Sequence, residues 1–148
     1  MQYRTRFMLT LGLAALLVAA CAAPAPAPTP APTQPAANMA NPASVNCDKQ
    51  GGKLSIQKRP DGGEYGVCMF EDNRQCEEWA LMRGECPAGG VVITGYVTQA
   101  AQFCAITGGE YKITANSNTD QEQGTCTLKT GKTCDAAAYF AGTCSAND

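Results

Sequence analysis

Polar and apolar positions change their period several times along this chain, and the same succession of changes occurs twice. Across residues 53–59, Leu54 and Ile56 alternate with polar residues, and Tyr65, Val67 and Met69 alternate likewise after the turn signal Asp61-Gly62-Gly63. Alternation of this kind predicts a β-hairpin with one buried face. Ahead of it, Asn41-Pro42 supplies a polar cap and a proline at the first helical position. Residues 43–50 therefore read as a short helix with Ala43 and Cys47 one above the other, stopped by Gly51-Gly52. After Glu71-Asp72-Asn73 the chain turns again, and residues 76–83 read as a second helix, with acids early, a cation late and Gly84 just beyond its end.

The order returns over residues 98–144. Ala100, Phe103 and Cys104 define a helix face, Gly108-Gly109 matches Gly51-Gly52 in its spacing from a cysteine, and Gly124 before Cys126 matches Gly66 before Cys68. The spacing of Cys68, Cys76 and Cys86 is repeated by Cys126, Cys134 and Cys144, with Ala80/Ala138 and Gly84/Gly142 in register. One extra residue in the second copy falls in the polar loop over residues 116–121. Between the copies, residues 88–97 carry Val91-Val92-Ile93, a β-branched run that reads as a strand packed between the units. The expected architecture is α+β: two small disulfide-stapled units, each helix–hairpin–helix (αββα), over residues 41–87 and 98–144, the second diverged from the first.

The first forty residues have a different character. Arg4 and Arg6 precede an apolar run over residues 7–18, too short for a comfortable transmembrane helix but of secretory-signal length. Val18-Ala19-Ala20-Cys21 resembles a bacterial lipobox, which implies a signal peptide over residues 1–20 and lipidation of Cys21. Residues 21–40 then form a tether rich in Ala and Pro, unable to build a helix or a core. These features place the protein in the bacterial cell envelope, held to the membrane by an N-terminal lipid. In a cell with two membranes that is the periplasmic side of the outer membrane, and otherwise the outer face of the cytoplasmic membrane.

Composition narrows the chemistry. Of 11 Lys and Arg and 13 Asp and Glu, the signal peptide holds Arg4 and Arg6, so the remainder sits near a net charge of −4. That charge argues against a nucleic-acid partner, whose phosphates demand cations. There are nine cysteines and no histidine, which removes the commonest metal ligand and general base together. With Cys21 set aside, Cys47, Cys68, Cys76, Cys86, Cys104, Cys126, Cys134 and Cys144 are expected to form disulfides in an oxidising compartment. Each copy allows three pairings, left open here apart from a hairpin-register argument against Cys68–Cys76. No metal site and no cofactor are expected, and no nucleophile–base set is present.

Glu77 and Glu78 read as exposed first-turn acids, Trp79 as a core anchor rather than a stacking platform, and Arg83 as a helix-end cap. Yet Glu78, Trp79 and Arg83 occur in copy one alone, where copy two has Ala136, Ala137 and Ala141. They are therefore the candidate binding residues, and no residue is assigned as catalytic.

The segments Asn41-Pro42-Ala43-Ser44-Val45-Asn46-Cys47, Gly62-Gly63-Glu64-Tyr65-Gly66-Val67-Cys68, Gln75-Cys76-Glu77-Glu78-Trp79-Ala80-Leu81 and Gly84-Glu85-Cys86-Pro87 resemble a small cysteine-rich bacterial domain of unknown function whose members often carry the label putative haemolysin. The resemblance implies an exported or lipid-anchored envelope protein and brings no catalytic residues. The haemolysin label fits poorly, because a pore needs long amphipathic segments or strands that close a barrel. The resulting expectation is a non-catalytic envelope lipoprotein that displays two binding modules toward an envelope protein or glycan. The alternative is an inhibitor of an extracytoplasmic hydrolase such as a protease or lysozyme.

Overall fold

The computed structural model describes residues 40–145, all within one compact unit. The signal peptide, Cys21 and all of the tether except Ala40 lie outside the described residues. In the first repeat the elements are α1 (Pro42–Lys49), β1 (Lys53–Lys58), β2 (Glu64–Met69), β3 (Arg74–Glu77) and α2 (Glu78–Arg83). Val91–Val92 follows as β4, and the second repeat runs α3 (Gln99–Ile106), β5 (Glu110–Ala115), β6 (Gln123–Thr127), β7 (Thr133–Asp135) and α4 (Ala136–Phe140). The α+β class, the four disulfides and the two repeated units agree with the sequence reading. Each repeat also carries a third strand between its hairpin and its second helix.

Local chemistry accounts for the element ends. Asn41 accepts a hydrogen bond from the Ala43 amide at 3.0 Å, with Pro42 at the first helical position. Thr98 and Asp135 cap α3 and α4 in the same way, through the amides of Ala101 and Ala138. Gly84 closes α2 in the left-handed region at φ 73°, where a side chain is strained. The third strand arises because Asp72 and Asn73 both take positive φ, 55° and 57°, which makes a tight hairpin turn rather than a loop. As a result Cys76 belongs to β3, and the helix expected from Cys76 begins at Glu78.

The pairing is Cys47–Cys68 and Cys76–Cys86 in the first repeat, Cys104–Cys126 and Cys134–Cys144 in the second. Cys68 and Cys76 are directly opposed partners across β2 and β3, so they share a face. They remain unbonded to each other because each turns to a cysteine outside the pair, not because they face apart, as the hairpin argument had it. The paired glycines complete the frame: a Cβ on Gly52 would collide with Cys68 Sγ, and one on Gly109 would meet Cys126 Sγ at 2.5 Å. Each helix-to-strand corner is thus pressed directly against a disulfide.

The layers alternate. β1–β2–β3–β4 form one antiparallel sheet and β5–β6–β7 another. The helices α1 and α2 pack on the Cys68 face of the first sheet, while α3 contacts β3 on one side and β5 and β6 on the other. The opposite face of β2 supplies Val67 and Tyr65 to a core shared with Ile93, Phe103, Ile106 and Phe140. The ring of Tyr65 meets that of Phe103 edge-on, with centroids 5.1 Å apart. The order is helices, sheet, helices, sheet, with the central strand β2 of repeat 1 buried between the two helix layers. The run at Val91–Val92 pairs with β3, and Ile93 enters the shared core, as a strand packed between the units should.

One expectation fails. Leu54 and Ile56, read as a buried hairpin face, are 37% and 57% exposed. They share the Cys68 face, but β1 lies at the sheet edge, where helices of eight and six residues do not reach to cover them. The buried residues of the hairpin are instead three successive positions of the central strand, Gly66, Val67 and Cys68.

Candidate functional site

A cleft of about 330 Å³ opens where the repeats meet, and the three residues specific to copy one all line it. Repeat 1 contributes Glu77, Glu78, Trp79 and Arg83, and repeat 2 contributes Phe103, Thr107 and Tyr139. Arg59, Glu64, Tyr65 and Gly66 form the wall nearer the hairpin turn.

The structure corrects the local roles expected for Glu77, Glu78, Trp79 and Arg83. Trp79 is 41% exposed, while its neighbours Ala80 and Leu81 fill the core. It is not the core anchor, and its indole is open to the cleft. Glu77 and Glu78 are 9% and 5% exposed rather than solvated. Glu77 ends β3 on the face of Val67, directed toward the second repeat, and caps α2 by accepting a 2.7 Å bond from the Ala80 amide. Burial raises the Glu77 carboxyl above its ordinary pKa, outweighing the amide bonds from Ala80 and Trp79 and the attraction of Arg83. Glu78 accepts from Asn41 Nδ2 at 3.0 Å and from Ser44 Oγ at 2.6 Å. Those partners lie on and beside α1, so Glu78 ties the two helices of repeat 1 together. Arg83 lies in the last turn of α2 but donates to Glu85 through Nε at 2.9 Å and Nη2 at 2.7 Å, so it does not cap the helix.

Gly66 makes room for this arrangement. A Cβ there would overlap the Glu78 carboxyl group, and its counterpart Gly124 gives the same space to the ring of Tyr111. Tyr139, at the far wall, has its phenol pKa raised, mainly by burial, against a side-chain hydrogen bond with Thr107 that lowers it. The sequence singled out Glu78, Trp79 and Arg83 by subtraction of the copies. It read Glu77 only as an exposed first-turn acid and gave no signal for Thr107 or Tyr139, whose place depends on how the repeats stack. Among the described residues no cluster of acids and cysteines has the arrangement to hold a metal ion, and no helix is long and apolar enough to cross a membrane.

Comparisons with known proteins agree with a duplicated frame. The chain is 35% identical over 78 residues to the uncharacterized protein YdbJ of Escherichia coli K12, covering 51% of this chain and 89% of that protein. It is 42% identical over 55 residues to the uncharacterized protein YoaF of the same strain, covering 37% of this chain and 64% of that protein. No solved structure matches the chain. A domain of unknown function, DUF333, matches twice, over residues 38–85 and 95–143, and this chain belongs to that family as a tandem pair.

Proposed function

We propose that this protein is a non-catalytic lipoprotein of the bacterial cell envelope, whose paired repeats act as one binding module with the inter-repeat cleft as its site. The observation that carries the reading is convergence: Glu78, Trp79 and Arg83, absent from copy two, line one cleft against Thr107 and Tyr139 of that copy. The repeats keep their disulfides in common, whereas the three candidate residues of the cleft are ones they do not share. A lipid on Cys21 followed by an Ala/Pro-rich tether suits presentation of such a module to an envelope protein or glycan.

The test is recovery of partners from an envelope extract on the immobilised full-length chain and on a Trp79→Ala variant. Material retained by the first and lost with the second supports the cleft. Equal recovery on both, or no recovery, counts against it. Inhibition of an added protease or lysozyme would support the inhibitor reading instead.

A further inference from the structure

The charges around the cleft do not balance evenly. At its rim, Arg83 is taken up by Glu85 at 2.7 Å, Glu64 lies 3.9 Å from Lys58, and Arg59 Nε lies 4.0 Å from Asp61. Glu77 and Glu78, the two buried carboxyl groups that line the cleft, have no cationic group at ion-pair distance among the described residues. Their hydrogen-bond partners are neutral: the Ala80 and Trp79 amides, the Asn41 amide group and the Ser44 hydroxyl. Buried carboxylates are ordinarily paired with a cation. Beside them the same cleft presents the partly exposed indole of Trp79 and the ring of Tyr139. An aromatic face next to an unpaired carboxylate attracts an organic cation twice over, through the ring quadrupole and through direct charge.

Resting on the reading of the cleft as a binding site, we infer that it takes a ligand through an aliphatic ammonium group, seated against Trp79 in the cleft that Glu77 and Glu78 both line. The rim guanidinium of Arg83 does not repel such a ligand strongly, because Glu85 neutralises it across two hydrogen bonds.

Trp79 is the single tryptophan of the chain and reports directly on the cleft. The full-length protein is titrated with glucosamine, with 1,5-diaminopentane and with neutral N-acetylglucosamine, at matched ionic strength, following Trp79 emission. The expected result is a saturable change with the amines and none with the neutral sugar. Glucosamine binding more tightly than the diamine identifies a sugar amine as the source, and the reverse identifies an alkyl amine. Glu77→Gln and Glu78→Gln keep an acceptor at each position and should each weaken amine binding by roughly tenfold or more. Equal binding of the neutral sugar, no saturable response to either amine, or amine binding unchanged in both variants overturns the inference. The neutral-sugar comparison needs no variant, so it decides even if a substitution unfolds the chain. Trp79-dependent recovery of an envelope partner without any amine response would sink the ammonium assignment and leave the binding module standing.

Discussion

The carboxyl group of Glu78 fills the space that a side chain on Gly66 would need. The two residues are separated by a strand, a turn and a second strand, yet each requires the other: the glycine opens the seat, and the carboxylate uses it to reach Asn41 and Ser44. Gly66→Ala should therefore displace Glu78 and destabilise the protein by about 1–3 kcal/mol. In a Gly66→Ala, Glu78→Ala double variant the clash is gone, so its loss should be smaller than the sum of the single losses. Urea unfolding midpoints of the four proteins measure this coupling, and strict additivity would refute it.

Phe103 of repeat 2 sits at the centre of the shared core, in ring contact with Tyr65 across the repeats and with Tyr139 and Phe140 within its own. Truncation to alanine should cost about 3–5 kcal/mol. The loss should appear in the emission of Trp79, which lies in repeat 1, at the same denaturant concentration as in far-ultraviolet dichroism. Two separated transitions would mean that the repeats fold independently.

Glu77 gives stability a pH dependence with a definite sign. Burial sets its folded pKa above the ordinary value of 4.5, so folding favours the protonated form. That contribution is complete below the unfolded pKa and is lost as the pH rises through the folded pKa. Glu77→Gln keeps an acceptor for the Ala80 amide but does not titrate. As the pH rises from about 4.5 through the folded pKa, the wild type should lose stability relative to this variant, as melting temperatures of both proteins will show. A wild type that gains on the variant over that range would reverse the assignment.

The disulfides close loops of unequal length, with sequence separations of 21 for Cys47–Cys68 and 10 for Cys76–Cys86. On chain entropy alone their removal costs about 3.3 and about 2.7 kcal/mol respectively. Cys47→Ala, Cys68→Ala should thus be slightly the more damaging of the two paired replacements. Peptide mapping under non-reducing conditions should recover the four pairs of the structure and no Cys68–Cys76 peptide.

Attachment to the membrane is predicted to rest on Cys21 alone. Replacing it with alanine should move the protein from the membrane fraction to the soluble envelope fraction, and persistence at the membrane would rule out the lipid anchor.

Much of the fold was legible because it is written locally. Asn41-Pro42 fixed where α1 starts, Asp61-Gly62-Gly63 where the first hairpin turns, and the repeated cysteine spacing where the second unit lies. The third strand was not legible: Arg74-Gln75-Cys76-Glu77 has no β-branched or aromatic residue, and it is a strand because β2 and Val91–Val92 flank it. Nor could alternation tell which face of the hairpin would be covered, since Val67 is buried, and Tyr65 half-buried, in a core supplied largely by the other repeat. The burial of Glu78 was hidden for a related reason. Its partners, Asn41 and Ser44, stand 37 and 34 positions earlier in the chain, and nothing near Glu78 announces them.

The stacking of the layers also fixes the order of the copies. Tyr65 and Val67 of copy one correspond by cysteine spacing to Gln123 and Thr125, and Phe103, Ile106 and Phe140 of copy two correspond to Asn46, Lys49 and Met82. A chain with the copies transposed would set glutamine and threonine against asparagine and lysine at its centre, and would leave the tyrosine, the valine and both phenylalanines facing water.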